Sequence, residues 1–512
     1  MIRPAHRQLE GRRCAPLGRI RSTRAVLPVL LCASLLSSLS QAQAPALPEG
    51  LDEQPPAGPA SPTGLGGSPA LPEGLGGPEV PEGLQPETPV EEQPPTPPAE
   101  PAPNDWLVLS GFWEVRGGVR TQRDPHERQA SLGETRLQLE TEKTFESLTF
   151  RFTGDFLYDA AISQHSVDLD RGEGWFDLRE ASVAATPVEF MDVKLGRQIL
   201  TWGTGDLIFI NDLFPKDYVS FFAGRDVEYL KAPSDAIKLG FFSDLANLDV
   251  VYTPAFDPDR FLIGRRISFY NPQLGRSSGR DAVLDPDIPN QWFRDDEWAA
   301  RVFRTVGAYE LAAYGYWGRW KSPAGFDPAS GRATFPRLNV YGASVRGPAA
   351  GGIANLEGGY YQSRDDENGD DPFVNNSQLR LLAGYERDLP ELFGHRVRDL
   401  TVGVQYYLEH IMDYQAMQDA APPGAKLADQ CRHTVTFRIT KLLMNQNLKL
   451  SLFTFYTPSD SDAYLRPNVS YKIDDHWTAE FGGNVWIGAH DHTFWGQFER
   501  NSNVYASLRY GF

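Results

Sequence analysis

From Trp106 to Phe512, apolar and polar side chains alternate with a period of two in one short segment after another. That period places successive side chains on opposite faces of a β-strand, so each segment reads as a strand with one apolar and one polar face. In the first, Leu107, Leu109, Gly111, Trp113, Val115 and Val119 share a face, and Ser110, Glu114, Arg116 and Arg120 share the other. Further on, Arg151-Thr153-Asp155 opposes Phe150-Phe152-Phe156, and Thr434-Thr436-Arg438 opposes Val435-Phe437-Ile439. The pattern predicts eighteen strands, near 107–120, 134–144, 147–158, 175–184, 188–200, 235–243, 246–254, 296–307 and 309–319. The remaining nine fall near 335–346, 352–363, 377–388, 397–410, 432–443, 446–457, 463–473, 475–488 and 497–512, with sixteen strands as the alternative count.

The connections sort by length. Those after even-numbered segments are short, such as Phe145-Glu146, Ala185-Thr186-Pro187 and Asp244-Leu245; those after odd-numbered segments are mostly long, as at 121–133, 159–174, 201–234, 255–295 and 411–431. A membrane-spanning antiparallel barrel has short turns at one end, long loops at the other and an even strand count. A soluble sandwich has no reason to sort its loops this way. The expected fold is therefore all-β, a transmembrane antiparallel β-barrel over 105–512. No run of 18 or more apolar residues exists, so helical membrane spans are excluded. The negative mean hydropathy does not count against a barrel, whose strands alternate lipid-facing with lumen-facing residues. Aromatic residues make up 12%, including 11 Trp and 20 Tyr, enough to supply two interfacial girdles. Val504, Ala506, Leu508, Tyr510 and Phe512 alternate to a terminal aromatic, which resembles the signal read by the outer-membrane barrel-assembly machinery, an expected partner.

The first 104 residues are of another kind. Seven arginines from Arg3 to Arg24, the apolar stretch Ala25 to Leu39 and Ser40-Gln41-Ala42 read as a secretory signal peptide over 1–42. Leu31 stands where a small residue is wanted before an acylated cysteine, so Cys32 is not read as a lipid anchor. Cleavage would remove Cys14 and Cys32 and leave Cys431, so the mature chain is expected to carry no intramolecular disulfide. Gln43 to Asn104 has no Lys or Arg, ten acidic residues and Pro-Glu-Gly-Leu at 48–51, 72–75 and 81–84. It has too little aromatic and β-branched content to fold and is expected to be a disordered periplasmic linker. The alternative is a tether to a periplasmic partner. The net charge of −18, more negative still without the signal, argues against nucleic acid as a partner.

One segment stands out: Leu195-Gly196-Arg197-Gln198-Ile199-Leu200-Thr201-Trp202-Gly203, followed by Asn211-Asp212-Leu213-Phe214-Pro215. It resembles the Gly-Arg-Gln…Trp-Gly signature of a broad group of porin-like outer-membrane proteins that includes alginate-export-type channels. Glu180, in Leu178-Arg179-Glu180-Ala181, sits where that group commonly has an Arg-Glu-Ala step. The resemblance implies a barrel strand leading into a long loop that folds toward the pore. The chain departs from alginate exporters in lacking an Arg-dominated lumen, so their substrate is not carried over.

Strand alternation alone aims Arg197 at lipid, which costs ~2–4 kcal/mol at the bilayer midplane and little near an interface. Either it lies at the rim or a bulge turns it inward. It is expected to pin loop 201–234 through Asp206 or Asp212, or alternatively to select solute at a constriction. The constriction candidates are Arg197, Gln198, Trp202, Asp206 and Asp212, with Arg116, Arg136, Arg151, Lys194 and Arg438 facing the bore. Basic and acidic lumen positions are nearly equal in number, most expected to pair across neighbouring strands. Such an interior suits a water-filled pore over a plugged apolar one. The run Asp365 to Asp371 lacks EF-hand spacing, and His490-Asp491-His492 has no accompanying nucleophile motif, so neither a metal, a cofactor nor catalysis is expected. The expected function is passage of small hydrophilic solutes across an outer membrane, with lipid and lipopolysaccharide around the barrel. The alternatives are a component of an export or assembly complex tethered by its Pro-rich segment, and a barrel hydrolase.

Overall fold

The computed structural model describes residues 108–163, 165–389 and 399–512. The expected signal peptide, Pro-rich linker and part of the 389–396 turn lie outside the described residues. Eighteen strands form one antiparallel sheet, and pairing of the last strand with the first closes it into a barrel. The first half contains β1 (Leu109–Arg120), β2 (Ala130–Phe145), β3 (Leu148–Asp159), β4 (Phe176–Val188), β5 (Met191–Ile199), β6 (Pro233–Phe241) and β7 (Asn247–Thr253). Two short strands, β8 (Phe269–Asn271) and β9 (Arg276–Ser278), make a hairpin inside the next loop. The wall resumes with β10 (Glu297–Val306) and β11 (Tyr309–Arg319), and a second loop hairpin joins β12 (Gly325–Asp327) to β13 (Arg332–Thr334). It continues through β14 (Arg337–Ala349), β15 (Gly352–Ser363), β16 (Gln378–Asp388), β17 (Leu400–Ile411) and β18 (Cys431–Leu443). The last four are β19 (Leu448–Thr457), β20 (Asp462–Lys472), β21 (Trp477–Ile487) and β22 (Asn503–Gly511).

All eighteen wall strands coincide with predicted segments. Closure satisfies every strand edge, as a sheet in lipid requires. At the seam Gly111 N–H donates to the Phe512 carbonyl at 3.1 Å, and Phe512 N–H donates back to the Gly111 carbonyl at 3.0 Å. The short turns gather at one end. One of them, Ala350-Gly351, takes positive φ at both residues, the geometry that matches strand twist in a tight hairpin.

Two expectations need correction. β4 runs through Thr186-Pro187 to Val188, so the turn is Glu189-Phe190; Pro187 is tolerated because it sits where the β4–β5 ladder is already irregular. The last strand starts at Asn503, because Gly496–Asn501 forms a 3-10 helix that buries Phe498 beside Trp495.

The outer wall has the pattern of a surface in lipid. Val115, Leu195, Val302, Leu356, Leu381, Val404, Phe437, Phe481 and Leu508 are exposed in a band around the barrel. Exposed aromatic residues border the band at both ends. Tyr158, Trp175, Trp298, Trp317, Tyr341, Tyr406 and Tyr456 lie toward the long loops, and Phe145, Phe190, Phe242, Tyr309, Tyr471 and Phe512 toward the short turns. Such girdles mark the two interfaces of an outer-membrane barrel. Outward charges such as Lys143, Arg304, Arg387 and Asp235 sit at strand ends, where charge costs little.

Candidate functional site: the loop inside the barrel

Residues 200–232, between β5 and β6, lie within the barrel and touch both sides of its inner wall. Leu200, Trp202, Ile210 and Phe214 pack against Tyr314, Tyr316, Val340, Tyr361 and Leu382 on β11, β14, β15 and β16. A single helical turn, α1 (Tyr218–Ala223), presses Phe221 and Phe222 onto Phe455, Tyr464 and Trp486 across the bore. Asp217 caps it, accepting from Ser220 N–H at 2.7 Å, and Gly224 ends it at φ +92°, where a Cβ would meet the Tyr505 ring. Toward the long loops the bore holds two apolar clusters made by this loop; toward the short turns its wall is charged.

Charge-assisted hydrogen bonds and ion pairs hold the loop at each end of its path. Glu357 on β15 accepts four: from Thr204 N–H at 2.7 Å, Thr204 Oγ1 at 3.0 Å, Asn211 N–H at 2.9 Å and Asn211 Nδ2 at 3.0 Å. Arg438 on β18 puts Nε 3.1 Å from Asp206 Oδ2 and also meets Glu386, two strands away on β16. Gly403 on β17 lies between them in register and has no side chain to obstruct that reach. On the opposite wall Arg116 donates to the Gly224 carbonyl at 2.7 Å and to Asp226 at 2.9 Å. Arg509 on β22 also pairs with Asp226. Burial raises the Asp226 carboxyl, but Arg509 and Arg116 outweigh it and hold the group well below the usual carboxylate range. Asp206 goes the other way: burial pushes it up, with Arg438 opposing.

The predicted residues divide accordingly. Trp202, Asp206 and Asp212 lie on the loop, and Arg116 and Arg438 receive it. Asp212 is committed to Lys216 Nζ at 2.9 Å and Thr201 Oγ1 at 2.7 Å. Arg136 meets the loop through its guanidinium over the Tyr229 ring, 4.3 Å to the centroid, while pairing with Glu134 and Asp155. Gln198 is fully buried and donates to the Ala236 carbonyl at 3.0 Å.

Arg151 and Lys194 pair with Glu142 and Glu180 on adjacent strands. Lys238–Asp249 and Arg380–Glu409 repeat that arrangement at 3.6 and 3.5 Å, as the near-equal charges suggested.

Arg197 is a correction. Gly196 takes φ +109°, yet the ladder keeps register through it, with Arg197 opposite Ala181 on β4 and Asp235 on β6, and both Arg197 and Gln198 are buried. The partners of Arg197 are Asp235, 3.7 Å away on β6, and the Leu169 carbonyl at 3.3 Å, not Asp206 or Asp212. Asp235 is half exposed at the long-loop end, so Arg197 ties strand β5 to β6 at the rim. Glu357 faces the lumen as strand parity requires, whereas Arg225, bonded to Glu134 and Ser220, belongs to a loop without periodicity and left no sign in the sequence.

No protein-family model matches the chain, and no curated protein matches it in sequence. Among solved structures it is similar to Acinetobacter baumannii OccAB1, at 10% identity and TM-score 0.45 over 80% of this chain and 96% of that one. It is similar also to Pseudomonas aeruginosa OccK11 (OpdR), at 8% identity and TM-score 0.46 over 79% and 96%. A third is Salmonella typhi OmpF in complex with daunomycin, at 10% identity and TM-score 0.39 over 79% and 97%. At such identities none of them decides what this chain does.

Proposed function

We propose that the chain is an outer-membrane porin-like channel for small hydrophilic solutes, narrowed by residues 200–232. The observation that carries this reading is a closed cylinder whose apolar outer band is bounded by two aromatic girdles, and whose charge-paired bore is crossed by a loop fixed to both walls. In an 18-stranded barrel the bore is wide enough for water unless a loop narrows it, and selectivity then belongs to the narrowing. Asp206 with Arg438, and Arg116 with Asp226, are the constriction residues of choice, because there a loop carboxylate meets a wall guanidinium. Arg136, Arg151 and Lys194 would line the path on either side, with Trp202 and Asp212 holding the loop and Gln198 tying β5 to β6 beside it. The Gly196-Arg197-Gln198…Trp202-Gly203 segment supports kinship with porin-like channels in pattern. The terminal strand ending at Phe512 supports recognition by the barrel-assembly machinery, and the outer band supports contact with lipid and lipopolysaccharide. Liposome swelling tests the reading: vesicles carrying the purified protein should swell in small sugars and progressively less in larger ones. Vesicles that swell no faster than empty ones would reject it.

A further inference from the structure

The loop between β15 and β16, at the long-loop end, carries Asp365-Asp366-Glu367-Asn368-Gly369-Asp370-Asp371. Asp365 pairs with Arg337 at 2.7 Å, and Glu367 pairs with Arg364. Among the described residues, Asp366, Asp370 and Asp371 form no ion pair with a basic side chain. Nor does Asp413, which follows β17 at φ 51° and does not cap the helix after it, Tyr414–Ala420. The run lacks EF-hand spacing, and surplus charge alone makes only a solvated loop.

Two buried oxygens distinguish this one. Asp366 is 4% exposed; its Oδ1 accepts from Asp370 N–H at 3.1 Å, while its Oδ2 is buried with no hydrogen-bond partner. Asn376 lies beyond the acidic run and is 3% exposed. Its Nδ2 donates to the Met412 carbonyl at 2.9 Å, while its Oδ1 is likewise buried with no partner. The two side chains bracket one peptide. Gly369, just before Asp370, takes φ +69°, and a Cβ there would strike the Asn376 amide and Asp413. The charged group facing Asp366 is Asp370, another carboxylate. The frame around them is fixed: Phe326 N–H donates to the Phe373 carbonyl and Asn375 N–H to the Ala324 carbonyl, each at 2.9 Å, at the β12–β13 hairpin.

We propose that the β15–β16 loop is a calcium site, with Asp366 Oδ2 and Asn376 Oδ1 as its buried ligands and Asp370 as its rim carboxylate. A buried oxygen left without a partner costs free energy, most of all when it carries charge. A water would satisfy the two atoms and leave the carboxylates around them uncompensated; a divalent cation answers both. No group of three His, Cys, Asp or Glu side chains stands together among the described residues. The shell therefore draws on an amide oxygen and water beside carboxylate, which suits calcium and not zinc. With so few charged ligands the site falls in the weak class of calcium modules outside cells, Kd roughly 10⁻⁴–10⁻³ M. Bound calcium ties the loop to the chain just past β17.

The site does not depend on whether the bore conducts. Full-length protein, stripped with EDTA and held in detergent free of lipopolysaccharide, is titrated with calcium chloride at constant ionic strength, and amide hydrogen exchange of 364–377 is followed. Calcium bound only by the closed loop makes opening rarer by about the ratio of its concentration to Kd. About 10 mM should therefore raise protection about ten- to hundredfold. Magnesium chloride should do far less, because that ion sheds water reluctantly and demands a near-ideal octahedron. D366N and D370N should each remove most of the calcium effect. Asp370 is exposed, so D370N tests the site without disturbing packed side chains. Equal protection with and without calcium would overturn the proposal. So would a calcium effect that survives both substitutions, or one spread equally over the other long loops.

Discussion

Arg438 and Asp206 face each other across the inside of the barrel, guanidinium Nε to carboxylate at 3.1 Å, and join the wall at β18 to the loop between β5 and β6. The wall arginine is little exposed and the loop aspartate about a third exposed, so the pair borders whatever water the bore holds. A charge pair in that position governs which ion passes more than it governs stability.

Replacing Arg438 with Ala should therefore change ion selectivity. It leaves Asp206 and Glu386 without their cation, and the expected result is a reversal potential shifted toward cations in a salt gradient. A reversal potential equal to wild type would remove the pair from the conduction path.

Arg197 should behave differently. Its partner Asp235 stands at the rim on the outward side, so R197A is expected to leave the reversal potential unchanged and to cost about 1 kcal/mol or less of stability, as for a half-exposed pair. The same salt-gradient recording checks the first statement and urea unfolding the second.

Glu357 has the larger structural role. Four donors converge on its carboxylate, and charge-assisted bonds are worth roughly twice neutral ones. E357Q removes the charge and leaves one of the converging donors facing an amide NH2. The loop should loosen by about 2–3 kcal/mol. Limited proteolysis in detergent should then cut within 200–214 while the barrel stays heat-modifiable on a gel. A loop as resistant as wild type would contradict this.

Phe512 completes the seam through two backbone bonds to Gly111. Deleting it should cut the fraction of chain reaching the folded form in cells several-fold, read as the heat-modifiable band, with F512Y nearly normal. Undiminished assembly of the deletion would separate the terminal aromatic from the assembly machinery.

The cylinder was legible in the sequence because a period of two is local. Each residue reports its own face, so Trp113 outward and Arg116 inward could be read without any partner, and the alternation of turn and loop lengths gave closure. Legibility failed where the period breaks. The spacing of three between Trp495 and Phe498 signals a helical turn that strand counting passed over. The course of residues 200–232 was hidden for a different reason. Its anchors, Glu357, Arg438, Arg116 and Arg509, are up to some 300 residues away in the chain and come together only when the barrel closes. Residues 200–232 enter the barrel, while the partner expected for Arg197, Asp206 or Asp212, gives way to Asp235.

The central claim is that the barrel's bore is a solute path and that residues 200–232 narrow it. Single-channel recording tests it most directly, with the full chain compared against a variant in which 204–229 is replaced by a short Gly-Ser linker. Discrete small steps are expected from the full chain and steps several-fold larger from the variant; a folded variant barrel that conducts no better than the full chain, or no steps from either, would contradict it.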